Sequence, residues 1–456
     1  MLATTLTATC RGVQGELTRI ECHIAQGLPG FTVIGKPDSA CREIKDRVRA
    51  AVINSGFEWP LRRMTVNVVG DGGLASMLDL PVAIAVLAAS EQIELASIEG
   101  VGFIGELGLD GSLRSVPGLV SALEALEPVV GDRVFTPATP AAVNLRFVVE
   151  ALKAGVKPGP ASFFVKPGVA FDFADIVGDH GEVFEAVTVA AIGGHGILFK
   201  GTRGAELIAR RIPGILPEPD DVEKGEVRRA FSAVGLPALP DGRPYRAPHA
   251  SASLVSLIGG GTSAMRPGEV TLANQGVLFL ENVEEFPLAA LDGIRHGIAE
   301  GEVRVSRGTH TVAMPAKAML VASMAECPCL SVGGSCSCSP ERLARFRRRV
   351  PAQFFDLMPI RLTFDYPHEG VNTFSSHRMR EVVEQGREIL AAVDFGEPTG
   401  DVAERLNEAL RLGVLSARAA EQQVFEVAKS VAASAARTEV IESDVDHALH
   451  LRGIWI

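Results

Sequence analysis

Three short apolar runs constrain the fold of this chain more than any other feature. They are Gly196-Ile197-Leu198-Phe199, Gly276-Val277-Leu278-Phe279-Leu280 and Ala318-Met319-Leu320-Val321-Ala322-Ser323. A strand with one wet face alternates polar and apolar residues. A short run that is apolar throughout, and closed by turn or helix signals, needs cover on both faces, as strands of a parallel sheet do. The middle of the chain, residues of about 176–365, is therefore expected to be a layered α/β block.

At 456 residues the chain is long enough for roughly three domains. Residues 1 to about 170 read as a compact α/β block of their own. Leu17 to Ile24 alternates with period two, Gly27-Leu28-Pro29-Gly30 is a turn, and Phe31 to Ile34 is a second strand. Ser39 is placed to cap a helix running to about Ser55, Met64 to Val69 is a third strand, and Leu80 to Ala89 is an apolar helix. Phe103 to Leu107 and the turn Leu109-Asp110-Gly111-Ser112 predict a hairpin. The Pro/Gly-containing stretch from Lys157 to Asp175 reads as a linker. Residues of about 370–456 are helical throughout, broken at Pro398-Thr399-Gly400, with Ser443 and Asp446 as an expected capping box for the last helix.

The net charge of −11 excludes a uniformly basic nucleic-acid binder, so any such contact must come from a local patch. The start of the chain lacks a charged and apolar leader, and no apolar run reaches eighteen residues, so a cytoplasmic protein with no membrane span is expected. Seven cysteines, three scattered and four clustered, do not form a disulfide framework and fit a reduced compartment.

Several strings then match one family. Arg211-Ile212-Pro213-Gly214-Ile215-Leu216-Pro217, Tyr245-Arg246-Ala247-Pro248-His249, Arg266-Pro267-Gly268-Glu269, the run 276–280, Cys327-Pro328-Cys329 and Cys336-Ser337-Cys338-Ser339-Pro340 together resemble the ComM/YifB-like proteins, relatives of the magnesium-chelatase ATPase subunit. Gly27 to Thr32 and Gly105 to Gly111 resemble that family's N-terminal domain. The resemblance implies a multidomain α/β chain. It would comprise a Lon-protease-like (ribosomal S5-like) α/β domain over 1–170, an AAA+ P-loop-type core over 176–365 and a helical lid over 370–456. It also implies hexameric rings, formed with itself or related AAA+ subunits, that act on DNA in branch migration and make no membrane contact.

Against that pattern the nucleotide site is altered at every part. A phosphate-binding loop needs two glycines with four residues between them, then Lys and Ser/Thr, so that backbone amides surround the phosphates, the ammonium holds them and the hydroxyl holds Mg²⁺. Here Gly201-Thr202-Arg203-Gly204 leaves only two residues between the glycines, Ala205 stands at the lysine position and Glu206 at the hydroxyl position. The acidic pair that should end the strand 278–280 is Glu281-Asn282, and Asn282 cannot act as a base. The polar sensor position falls at Ala325, the arginine finger at Leu357, and the second sensor arginine at Gln422 or Gln423. Lys200 and Arg203 lie near enough to substitute for the missing lysine. The expectation is nevertheless a non-catalytic member in which ATP and Mg²⁺ bind weakly or not at all. The alternatives are an active motor with an unusual site and a DNA-binding module independent of nucleotide.

Other candidates lie outside that site. Cys327, Cys329, Cys336 and Cys338 form two close pairs suited to tetrahedral zinc, or else a redox-sensitive or unmetallated cluster. The segment 301–312 reads as a hairpin that in the family resembles a pore-facing one, where Arg304, Arg307 and His310 can meet DNA phosphates, unless it is simply solvated. Arg342, Arg345, Arg347, Arg348 and Arg349 read as an exposed helix face or a surface toward a neighbouring subunit. A Lon-like peptidase pair is not expected. Ser76, after Asp71-Gly72-Gly73-Leu74-Ala75, is the nearest serine, and no lysine occurs between Lys45 and Lys153. Gly35-Lys36-Pro37-Asp38 reads as a turn without chemistry.

Overall fold

The computed structural model describes residues 1–35, 38–70, 75–140, 142–161, 171–201, 204–237, 242–261, 265–307, 310–329, 336–364, 369–412, 415 and 418–453. Lys36, Pro37 and the stretches Asp71-Gly72-Gly73-Leu74 and Thr202-Arg203 lie outside the described residues, as does 162–170 of the expected linker. The chain is a multidomain α/β structure with a helical C-terminal region.

The first block is a six-stranded mixed sheet. Its strands are β1 (Leu2–Arg11), β2 (Gln14–Ala25), β3 (Gly30–Ile34), β4 (Arg63–Val69), β5 (Gly102–Phe103) and β6 (Val134–Phe135), in the order β3-β4-β2-β1-β5-β6. Helices α1 (Asp38–Asn54), α2 (Asp79–Ala89), α3 (Leu119–Val130) and α4 (Leu145–Lys153) cover it. β1 escapes a periodicity reading because its buried positions include Thr5, Thr7 and Thr9. α1 begins at Asp38, so Ser39 lies inside the helix and does not cap it. The expected hairpin divides. Gly102–Phe103 joins the main sheet, and Glu106–Leu107 pairs with Leu113–Arg114.

The second block carries the three apolar runs as adjacent parallel strands. β7 (Ile197–Lys200), β8 (Tyr245–Arg246) and β9 (Val277–Leu280) are followed by the hairpin β10 (Glu302–Arg307) and β11 (His310–Pro315), then by β12 (Met319–Met324) and β13 (Ile360–Thr363). The sheet order is β8-β9-β12-β7-β13, parallel throughout. Both faces are covered, as a wholly apolar strand requires. Ile197, Phe199, Val277 and Phe279 enter one buried cluster, whereas Leu198, Leu278 and Leu280 enter another. The helices of this block include α5 (Gly181–Gly193), α6 (Ala205–Ala209), α7 (Asp221–Ala233), α8 (Leu288–Glu300) and α9 (Pro340–Arg347).

Four helices complete the chain, α10 (Ser376–Ala392), α11 (Gly400–Arg411), α12 (Arg418–Ser434) and α13 (Glu442–Arg452). Val402, Leu406, Val424, Val431 and Val445 from them join the same cluster as Phe199, so this region packs directly on the sheet's α5 side. α13 begins at Glu442 with Ile441 before it, and Asp444 accepts from the Ile441 amide. The expected Ser443–Asp446 box therefore does not form. Asp446 instead accepts from Arg405 at 2.6 Å. The first two blocks also share a core. Cys10, Leu119 and Leu126 pack with Val227 and Phe231 of α7 and with Val312 and Met314 of the hairpin.

Candidate functional site

The phosphate-loop position lies where β7 hands over to α6. Gly201 and Gly204 adopt φ of 104° and 87°, conformations that side-chain-bearing residues rarely take. The Gly201 amide donates to Met324 O at 2.9 Å, which ties the loop to the end of β12. Ala205 opens α6 and is 5% exposed, so the lysine position is a packed apolar one. Glu206 forms an ion pair with Arg210 one turn later in the chain. Around this pair stands Tyr245, whose ring lies 6.5 Å from that of Phe279. Burial pushes its phenol up, and the negative charges of Glu206 and Glu281 push further the same way. Arg210 opposes that push, so both signs of charge lie near the Tyr245 phenol.

The neighbouring positions make hydrogen bonds within the fold. Asn282 has φ of 52°, and its backbone amide donates to Ser323 Oγ at 3.0 Å. Ala325 is buried, and its amide donates to Glu284 Oε1 at 3.1 Å. Glu284 is itself buried, and burial raises its pKa against the opposing hydrogen bond from Ala325 and the nearby charge of Arg349. Leu357 packs inward against the core beneath the sheet. Of the two candidate positions in α12, Gln422 is exposed, whereas Gln423 Nε2 donates to Asp356 O and its Oε1 accepts from Arg452, both at 3.0 Å.

Sequence reasoning missed Glu284, Arg361 and Arg452, and offered Lys200 only as a substitute for the missing lysine. Glu284 stands in a short turn with no motif of its own. Lys200, Arg361 and Arg452 gather at the carboxyl edge of the sheet. Strand register puts Lys200 and Arg361 on one face of β7 and β13, and a Cβ at Gly453, next to Arg452, would lie 3.5 Å from Lys200 Nζ. Burial lowers the pKa of all three. Arg361, pushed down to about 10, is lowered further by Arg452, and Lys200 by Arg361. They come from separate elements, so no local signal announces the cluster.

The sulfur atoms of Cys327, Cys329, Cys336 and Cys338 all lie within 4.8 Å of one another, with Cys327–Cys329 at 2.9 Å and Cys329–Cys336 at 3.6 Å. Four thiolates at about 2.3 Å from a tetrahedral zinc sit about 3.8 Å apart, so the donor set fits that ion. An all-sulfur set leaves no open position, which suits a structural site rather than a catalytic one.

In the hairpin, Arg304 lies opposite Ala313 and its guanidinium binds Glu302 Oε1 at 2.5 Å. Arg307 and His310 pair across the turn by backbone register, and their side chains lie outside the described residues. Ser76 sits on the turn Ala75–Leu78 before α2. The nearby buried Asp79 bonds Arg47 Nε at 2.7 Å and the Leu107 amide at 3.2 Å, an arrangement of anchoring rather than of nucleophile and base. No helix among the described residues is long and apolar enough to cross a membrane.

Residues 172–370 match the family model described as magnesium chelatase, subunit ChlI, and residues 20–139 match that of subunit ChlI of Mg-chelatase. The competence protein ComM of Haemophilus influenzae is 34% identical, covering 85% of this chain and 82% of its own. The YifB protein of Escherichia coli is 34% identical, covering 80% and 76%. An uncharacterized protein of Mycobacterium tuberculosis is 32% identical over 97% of each chain. Among solved structures, a full-length MCM homolog from Methanopyrus kandleri aligns over 59% of this chain and 54% of its own, at 16% identity and a TM-score of 0.39, which carries no argument.

Proposed function

The chain belongs to the ComM/YifB-like, magnesium-chelatase-related AAA+ family, and from that premise we propose that it is a member without ATPase activity. In this reading it serves as a scaffold, a regulatory subunit or a DNA-binding accessory in recombination or the processing of DNA. The observation that carries this reading is the Glu206–Arg210 ion pair beside the packed Ala205. Where the family needs an ammonium and a hydroxyl, this chain offers a methyl group and a carboxylate. Two like unit charges at about 4 Å repel by roughly 4 kcal/mol at an effective dielectric of 20. A carboxylate at 206 opposes a triphosphate in the geometry the motif demands, by less than that figure because Arg210 pairs with it and the two side chains are 43% and 45% exposed. The inward packing of Leu357 removes the other large contribution, since an arginine finger is worth about 10³–10⁵ in rate.

The sheet order β8-β9-β12-β7-β13 supports an AAA+ P-loop-type core over 176–365. The mixed sheet before it is assigned to a Lon-protease-like domain over 1–170, and the helices over 370–456 to the lid. Cys327, Cys329, Cys336 and Cys338 are assigned as a structural zinc site. Self-assembly, or assembly with a related intact subunit, provides the setting in which an inactive member acts.

A second reading is an active motor with an atypical site, and the Lys200, Arg361 and Arg452 cluster favours it, because three cations at the sheet's carboxyl edge suit a polyphosphate. Phosphate release from MgATP by the purified full chain, with and without branched DNA, separates the two. The proposal expects no release above the no-enzyme control. Turnover that Glu281→Gln abolishes establishes the motor instead.

A further inference from the structure

We propose that α9 and the turn after it form the chain's nucleic-acid phosphate-backbone surface, in place of the hairpin β10–β11. The inference rests on reading the chain as a DNA-binding accessory and relocates the contact. Arg342, Arg345, Arg348 and Arg349 are all exposed, while Phe346 and Val350 between them are buried and anchor the segment. Ser339 accepts from the Arg342 amide, so the helix starts directly after Cys338 and is fixed to the cysteine cluster. Positions three and four apart share a helix face. Arg342 and Arg345 accordingly share one helix face, Arg348 closes the helix, and Arg349 follows it with its guanidinium over the Phe346 ring, so the four form one exposed basic patch beside the anchor.

Charge is what separates this patch from the hairpin. Arg304 is 73% exposed but already spent on Glu302. Among the described residues, Arg342, Arg345, Arg348 and Arg349 form no ion pair with a carboxylate, and the nearest acidic residue in sequence is the exposed Glu341. On a chain of net charge −11, such a patch is where a polyanion meets local attraction that offsets repulsion from the rest of the surface. The dimensions agree as well. From Arg342 to the helix end at Arg347 the axis rises about 8 Å, and a duplex strand carries a phosphate about every 3.4 Å of its axis, so with Arg348 just beyond the end the patch spans about three phosphates. Guanidinium groups suit those oxygens because they donate in a planar fork. No base-reading group lies in the patch, so the contact is expected to be independent of sequence.

The test is fluorescence anisotropy of a labelled DNA duplex with the zinc-replete full chain, from 50 to 200 mM KCl. Three phosphate contacts predict a wild-type affinity that falls roughly forty-fold over that range. The variant Arg342→Gln/Arg345→Gln/Arg348→Gln is expected to lose at least ten-fold at 50 mM and most of the salt slope, whereas Arg304→Ala changes affinity less than two-fold. All three substituted side chains are exposed, and a matched thermal melt verifies folding. An unchanged salt slope in the triple variant overturns the proposal. So does a hairpin variant, Arg304→Ala/Arg307→Ala, that alone abolishes binding. A triple variant that changes only oligomeric mass in light scattering also overturns it, since the patch is then a face between subunits. None of these outcomes touches ATP turnover, so this assignment and the absence of ATPase activity fail separately.

Discussion

Acidification should weaken the packing of the helical region on the sheet through His195. This residue follows α5, and its Nε2 lies 2.8 Å from Ser430 Oγ on α12, so it sits at the seam between core and C-terminal helices. Burial pushes its pKa down to about 4 from 6.5, against the opposing charge of Glu426. The folded-state value lies below the unfolded one. The unfolded chain therefore binds the proton first, and stability is fully present above pH 6.5 and lost as pH falls toward 4. With those two values the loss is roughly 2 kcal/mol at pH 5 and about 3 kcal/mol below pH 4, at 1.36 kcal/mol per pKa unit. The ring keeps partial solvent access, so these are upper figures. Urea unfolding at pH 7.5 and pH 5, with wild type beside His195→Gln, measures the effect. Glutamine retains an amide for Ser430 but does not titrate, so the variant should lose less stability than wild type between the two pH values. Parallel losses in the two proteins refute the argument.

Other consequences follow from the same geometry. The double substitution Ala205→Lys/Glu206→Thr should leave MgATP turnover absent, because the loop stays two residues short and Leu357 and Asn282 are untouched; a phosphate-release assay checks it. One zinc per chain is expected after reducing, chelator-free purification, and Cys336→Ser should lower that stoichiometry severalfold by atomic absorption. Phe199→Ala should cost about 3–5 kcal/mol in urea unfolding, because Phe199 is 1% exposed at the centre of the cluster that joins sheet and C-terminal helices.

How far the sequence alone reached depended on how local each signal is. Ile197 to Phe199 and Val277 to Leu280 announced themselves because a strand covered on both faces has no polar side to confuse the reading. β1 did not, because Thr5, Thr7 and Thr9 are buried, and a threonine-rich run carries no apolar period. Ser443 has the residue type of a cap, but the helix starts two residues earlier than such a cap would set, at Glu442, with Val445 and Ala448 packed in the core. The expectation of an altered nucleotide site was read position by position against the motif. What no local pattern revealed is how they are reused: Glu206 held by Arg210, Ala325 bonded to Glu284, and Gln423 bridging Asp356 to Arg452. Each joins residues whose pairing only the fold decides. The same holds for Lys200, Arg361 and Arg452, which lie on three separate elements.

The central claim is that the nucleotide site has become internal structure, and the direct measurement is a calorimetric titration of the full chain with MgATP. The account predicts no saturable heat up to millimolar nucleotide, with Glu206 and Arg210 still paired. Saturable binding in the micromolar range, accompanied by phosphate release, contradicts it.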